Sequence, residues 1–244
     1  MIDIKSENGV RHIVFNRPQR KNAFTVEMYE TIVEGMVTAD SDPETRVILF
    51  SGVGGAFTAG NDLGDFMERP PTGEDAPVFQ MLRALVEIET PMVAAVSGPA
   101  IGVGTTMLLH CDLTYAADNT RFQMPFVNLG VVPEAGSSVL LPKIAGRAKA
   151  SELLLLGRPF SAAEAYEIGL INQICTVDDV LDIAMKAAQT IAQQPAEALK
   201  ITRALLRDAT RAETLARVQM EADLFRKRLQ SAETQAILGK MLKR

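Results

Sequence analysis

Residues 91–106 read PMVAAVSGPAIGVGTT, and this stretch decides the fold. Met92 to Ser97 is a short apolar run entered through Pro91, the length of a strand buried on both faces. Gly98, Gly102 and Gly104 follow at once, and Thr105 to Leu109 then reads as a helix start. The same grammar occurs upstream, where Val47 to Ser51 (VILFS) runs into Gly52, Gly54 and Gly55. Buried strands feeding glycine turns and then helices predict an α/β fold with several parallel strands.

Working outward, Ile2 to Glu7 and Val10 to Asn16 form a hairpin around Asn8-Gly9. Thr25 caps a helix from Val26 to about Ala39, which Asp42-Pro43 ends. Asp112 to Ala117 and Ile171 to Cys175 are further strands, and the segment from Arg69 to Asp75 (RPPTGED) reads as an exposed, mobile loop. Ser161-Ala-Ala-Glu164 is a capping box. After Val177 the pattern turns helical: Asp178 to Gln194, Ala196 to Ala209, Ala212 to Leu229 and Ala232 to Leu242, parted by Pro195, Thr210 and Ser231. Thr210-Arg-Ala-Glu213 is a second capping box. The reading is therefore an α/β core over residues 1–190 and a helical region over 191–244 that packs on the core, on a neighbouring subunit, or on both.

Composition narrows the function classes. In 244 residues, 47% are apolar and 23% charged, the balance of an ordinary globular chain. A formal net charge of −5 argues against nucleic acid and anionic membrane surfaces as partners. Cys111 and Cys175 show no C-x-x-C spacing, so neither a disulfide framework nor a zinc site is expected. The opening MIDIKSENGVRHIVFN lacks the apolar core of a signal peptide, and no transmembrane run occurs. The final Lys240-Met241-Leu242-Lys243-Arg244 is not a peroxisomal address. The expected compartment is the cytoplasm.

Two segments carry chemistry. Gly55 to Leu63 (GAFTAGNDL) follows one buried strand, and Ser97 to Thr106 follows the next. Exposed N–H groups at such turns point outward with the positive end of a helix dipole. Two turns side by side can aim two N–H groups at one carbonyl oxygen, an oxyanion hole. Glycine serves strand-to-helix turns in most α/β proteins, so spacing alone leaves both readings open. Neither segment matches G-x-G-x-x-G or a Walker loop.

Six ordered segments together resemble the crotonase (enoyl-CoA hydratase/isomerase) superfamily over essentially the whole chain. They are Asn16-Arg-Pro, Lys21-Asn-Ala23, Ala56 to Leu63, Pro91 to Val103, Cys111-Asp-Leu, and Leu129 to Gly136 (LGVVPEAG). The resemblance implies a crotonase-like spiral of ββα turns, C-terminal helices that build a homotrimer or a dimer of trimers, and an acyl-CoA thioester substrate. It implies no cofactor beyond the coenzyme A of the substrate, and no metal. It places the oxyanion N–H groups at Asn61 and Val103. It also lines the CoA groove with Lys21 and Ala23 and with Ala59, Gly60, Asn61, Asp62 and Leu63.

The chain departs from the family's hydratases. Their two glutamates fall at Thr106 and Phe126, and neither residue is a competent general base. A different acid stands in Val132-Pro-Glu-Ala-Gly-Ser-Ser138. Glu134 follows a proline among Leu129, Val131, Val132, Val139 and Leu140, where desolvation raises a carboxyl pKa. By itself it is equally a loop carboxylate or a first-turn helix glutamate. Pro-Glu-x-x-Ser-Ser, Gly60-Asn-Asp-Leu63 and Pro142-Lys-Ile144 resemble the 3-enoyl-CoA to 2-enoyl-CoA isomerases. The expected reaction is a double-bond shift with Glu134 as proton shuttle and Phe126 in a water-excluding apolar wall. The alternatives are an enoyl-CoA hydratase or another crotonase-type reaction, and a non-catalytic acyl-CoA binder.

Other residues fit plainer roles. His12 and His110 read as structural, Asp62 as an Asx turn, and Asp65 and Glu68 as a solvated face or an assisting acid. Arg226-Lys-Arg228 is a charged helix face or a contact for a CoA phosphate. The eleven methionines suit core filling or an adaptable acyl pocket.

Overall fold

The computed structural model describes residues 1–242, so Lys243 and Arg244 of the C-terminal reading lie outside the described residues. The chain runs β1 (Ile2–Glu7), β2 (Val10–Phe15), α1 (Val26–Ser41), β3 (Val47–Gly52), α2 (Leu63–Glu68), α3 (Pro77–Glu87), β4 (Met92–Val96), β5 (Pro99–Ile101) and α4 (Val103–Thr106). It continues through β6 (Leu113–Ala117), β7 (Arg121–Gln123), α5 (Ser137–Leu156), β8 (Phe160–Ser161), α6 (Ala162–Glu167), β9 (Gln173–Cys175), α7 (Val180–Ala192), α8 (Ala196–Leu229) and α9 (Ala232–Met241).

The apolar runs become the centre of a six-stranded sheet, ordered β1-β2-β3-β4-β6-β9. Only the β1–β2 hairpin is antiparallel. Alternation along β2 to β4 sorts the side chains onto two faces. Ile13, Phe15, Ile48, Phe50, Ala94 and Val96 enter the main core with α1 and α3. Val10, Val47, Leu49, Val93 and Ala95 pack under α7. Burial on both faces explains why VILFS and MVAAV are continuous rather than alternating. A smaller sheet, β5-β7-β8, takes the chain within the second glycine segment, between Gly98 and Gly102.

Thr25 accepts the N–H of Met28, and Ser161 accepts that of Glu164, as the caps predict. The expected break at Thr210 does not occur, and α8 is one 34-residue helix. Thr210 donates its hydroxyl to the carbonyl of Arg207, and Thr214 does the same to Thr210. A threonine can thus satisfy itself on the preceding turn, and no Gly or Pro stands nearby to stop propagation. Conversely, α5 is not continuous, because Gly146 interrupts it at φ 74, ψ 155. The strand expected from Ile171 begins at Gln173. From the long helix, Val218, Ala222, Phe225 and Leu229 enter the same core as the sheet.

Asn22 ties the first loop to the first glycine turn. It is fully buried at φ 56, and its Nδ2 donates to the carbonyls of Val53 (2.9 Å) and Ala56 (2.7 Å). Its Oδ1 accepts the N–H of Arg17 at 2.8 Å. Asn22→Ala strands these partners and leaves alanine left-handed, so a loss of about 3 kcal/mol is expected in urea unfolding. A loss below about 1 kcal/mol would contradict this account.

Candidate active site

Two glycine turns are laid side by side. Phe57 and Thr58 both donate to the carbonyl of Pro99, and Ile101 donates back to Thr58. Gly60 has φ 85, and a Cβ there would stand 2.8 Å from the carbonyl oxygen of Ile101, so only glycine permits this approach. A Cβ on Gly98 would stand 1.9 Å from the carbonyl oxygen of Gly55. The loop after β2 closes from the other side: Ala59 donates to Lys21, Phe24 to Gly60, and Asp62 to Phe24.

The pairing places Asn61 beside Ile101-Gly102-Val103. Asn61 N–H finds no acceptor among the described residues, although both its neighbours do. Val103 is the first residue of α4, with Gly102 as N-cap, so its N–H has no intrahelical partner. Tyr29 on α1 donates its hydroxyl to Asn61 Oδ1 at 2.5 Å and so fixes that side chain.

Of the groove residues, Ala59, Gly60, Asn61 and Leu63 line a cavity of about 410 Å³, together with Phe126, Leu129, Val131 and Phe225. Lys21 is exposed and meets this turn through its carbonyl, which accepts from Ala59 N–H, whereas Ala23 is buried and its backbone bonds stay with Arg17 and Arg20 in its own loop. Asp62 caps α2 by accepting from Gly64 and Asp65, and takes an ion pair from Arg17 at 2.6 Å. Asp65 accepts from Val26 N–H and Arg69, and Glu68 is exposed, so neither is a free acid in the cavity. Arg226 and Arg228 bond to the carbonyls of Thr72 and Gly130.

Glu134 lies in the interior, only 2% exposed, and does not itself line the cavity. Thr106, three residues beyond Val103 at the end of α4, turns its hydroxyl to the carbonyls of Gly102 and Val103, and Glu134 Oε1 has no partner at all. Burial, then the negative charge of Glu221, pushes its pKa up to about 8. The Tyr29 phenol is raised well above its ordinary range by burial and by Glu134, so it stays neutral beside the acid. An unpartnered buried carboxylate near the operating pH is the chemistry of proton transfer.

Sequence reading missed three contributors. Tyr29 sits on the apolar stripe of α1 and reads as core. Glu221 reads as one charge on a long helix. Phe225 closes the cavity and packs edge-on against Phe66, with ring centroids 6.1 Å apart. His110 is structural, as expected: its Nε2–H donates to the carbonyl of Ala135 at 2.7 Å, and burial lowers its pKa to about 4. His12 meets Ser51 at 2.8 Å. Both cysteines are free. Among the described residues no acidic, His or Cys cluster could hold a metal, and no helix is long and apolar enough to cross a membrane.

Comparisons with known proteins follow the same lines. A family model described as enoyl-CoA hydratase/isomerase matches residues 5–242. The chain is 35% identical over 210 residues to enoyl-CoA delta isomerase 2 of Rattus norvegicus, covering 84% of this chain but only 54% of the rat protein. It is 35% identical over 236 residues to 1,2-epoxyphenylacetyl-CoA isomerase of Escherichia coli K12, covering 93% of this chain and 89% of that protein. The solved structure of Pseudomonas aeruginosa OdaA superposes with a TM-score of 0.96 at 40% identity, covering 100% of this chain and 99% of that one.

Proposed function

The chain belongs to the enoyl-CoA hydratase/isomerase family, and we propose that within it the protein moves the double bond of a 3-enoyl-CoA to the 2-position. One observation carries this reading: a buried carboxylate with an unpartnered oxygen, Glu134, with Thr106 and Phe126 at the two positions where the family's hydratases keep glutamates. Coenzyme A enters as part of the substrate.

In this reading the thioester oxygen sits between the N–H groups of Asn61 and Val103. Glu134 removes a proton from the carbon next to the thioester, and the electron pair moves onto that oxygen. The two N–H groups hold the dienolate, each contributing about 3 kcal/mol. The carboxylic acid then returns its proton two carbons along, the double bond settles in conjugation, and Glu134 is regenerated as a carboxylate. Because Glu134 is enclosed in the free protein, substrate binding must open the lining around it. The apolar wall of Phe126, Leu129 and Phe225 keeps water from the dienolate.

The shift in Glu134 has a definite sign. The base must be ionised, and burial favours its neutral form. kcat/KM is therefore expected to rise with pH along a limb near 8, rather than near the ordinary 4.5 of a glutamate. A flat profile from pH 6 to 9 would contradict the assignment.

The deciding assay offers a 3-enoyl-CoA and, separately, a 2-enoyl-CoA. An isomerase produces conjugated-thioester absorbance from the first. Rapid loss of absorbance from the second, by hydration, would overturn the reading in favour of a hydratase. A protein that binds both esters yet exchanges no α-protons in heavy water would be a binder alone. We extend the family reading to assembly as a homotrimer, which the exposed Ile201, Leu205, Leu206, Met220 and Leu224 of α8 support. Sedimentation tests that extension.

A further inference from the structure

The turn carrying Glu134 is strained. Ala135 and Gly136 are consecutive left-handed residues, at φ 59 and φ 68, and Ala135 is fully buried. A non-glycine residue persists there only when its surroundings hold it. Two partners from distant segments do so. His110 donates to the Ala135 carbonyl. Glu221, 4% exposed on α8, accepts the N–H of Gly136 at 2.6 Å through Oε2 and that of Ser138 at 3.0 Å through Oε1. Gly136 is the N-cap of α5 and has no side chain to cap with, so the carboxylate of another helix takes that place.

We propose that Glu221 is a positioning residue for proton transfer: it clamps the left-handed turn that aims Glu134 and sets a second negative charge behind that acid. The inference rests on the isomerase reading above. A simple cap would serve α5 equally well from the exposed side. This one comes from α8 and accepts both of its backbone hydrogen bonds, as an ionised carboxylate does, against the burial that raises its own pKa. After burial, its charge adds to the upward shift in Glu134. The other groups facing Glu134 are neutral: the Thr106 hydroxyl, the Tyr29 phenol and, behind the turn, the His110 imidazole. Arg217 is the counter-charge, acting on Glu221 and donating to Ser138 Oγ at 3.3 Å.

The test is the pH profile of kcat/KM for the wild type, Glu221→Gln and Arg217→Gln, with Glu134→Gln as control. Glu221→Gln keeps one acceptor and loses the charge. Its acid limb is expected to move down by roughly one pH unit, with the high-pH plateau about tenfold lower because the base is weaker and the turn looser. Arg217→Gln leaves Glu221 less neutralised, so its limb moves up. A folded Glu221→Gln protein with an unmoved limb overturns the proposal. If Glu221→Gln does not fold, Arg217→Gln decides alone, and no upward shift overturns it. A fully active Glu134→Gln protein would instead remove the isomerase reading itself, a separate outcome.

Discussion

Glu134→Gln is expected to lower isomerase turnover by about 10²–10⁴-fold, the range that a positioned general acid–base supplies. The amide is nearly isosteric, so the fold survives. A second signature accompanies the loss. The carboxyl ionises near 4.5 when unfolded and near 8 when folded, so between those values the unfolded chain holds fewer protons. Wild-type stability contributed by this group is then fully present below pH 4.5 and falls as pH rises towards 8. The variant has no such group. Its melting temperature should therefore gain on the wild type steadily across that window, and the two should run parallel below it. Lost turnover with a flatter stability profile marks a strained catalytic acid. Retained turnover in a folded variant would end the case for Glu134.

Val103→Pro is the sharpest test of the paired N–H groups. Side-chain substitutions leave a backbone donor intact, but proline removes it. Position 103 is the first of its helix, where proline's fixed φ is suited and its missing N–H breaks no helical bond. The preceding residue, whose conformation a proline restricts, is Gly102, the type best able to adapt. Losing one oxyanion donor costs about 10²–10³ in kcat, with KM moved less because the charge develops in the transition state. Val103→Ala keeps the donor and should stay within a few-fold of the wild type. Equal losses in both variants would point to lost packing of a buried valine instead.

Much of the site was legible because backbone geometry announces itself in residue type. Gly60 and Gly98 are required where two chains touch, and they stand in the sequence at fixed distances from apolar strands. Asp62 reads as a local cap because its partners lie two and three residues on. Glu134 was legible as an acid that its apolar neighbours desolvate, although its unpartnered oxygen and the charge behind it were not. The expected break at Thr210 failed for a local reason: a threonine that starts a helix and one that rides within it look alike until its hydroxyl chooses an acceptor.

The sequence determined the layered α/β core and the two glycine turns, because each depends on near neighbours in the chain, and its resemblance to the family pointed to the missing glutamates at positions 106 and 126. Tertiary structure alone decided which acid stands free and what holds it. Glu221 reaches Gly136 across 85 residues and Tyr29 reaches Asn61 across 32. No periodicity encodes such meetings. They arise only when packing removes water and leaves each buried polar group the partner that geometry allows.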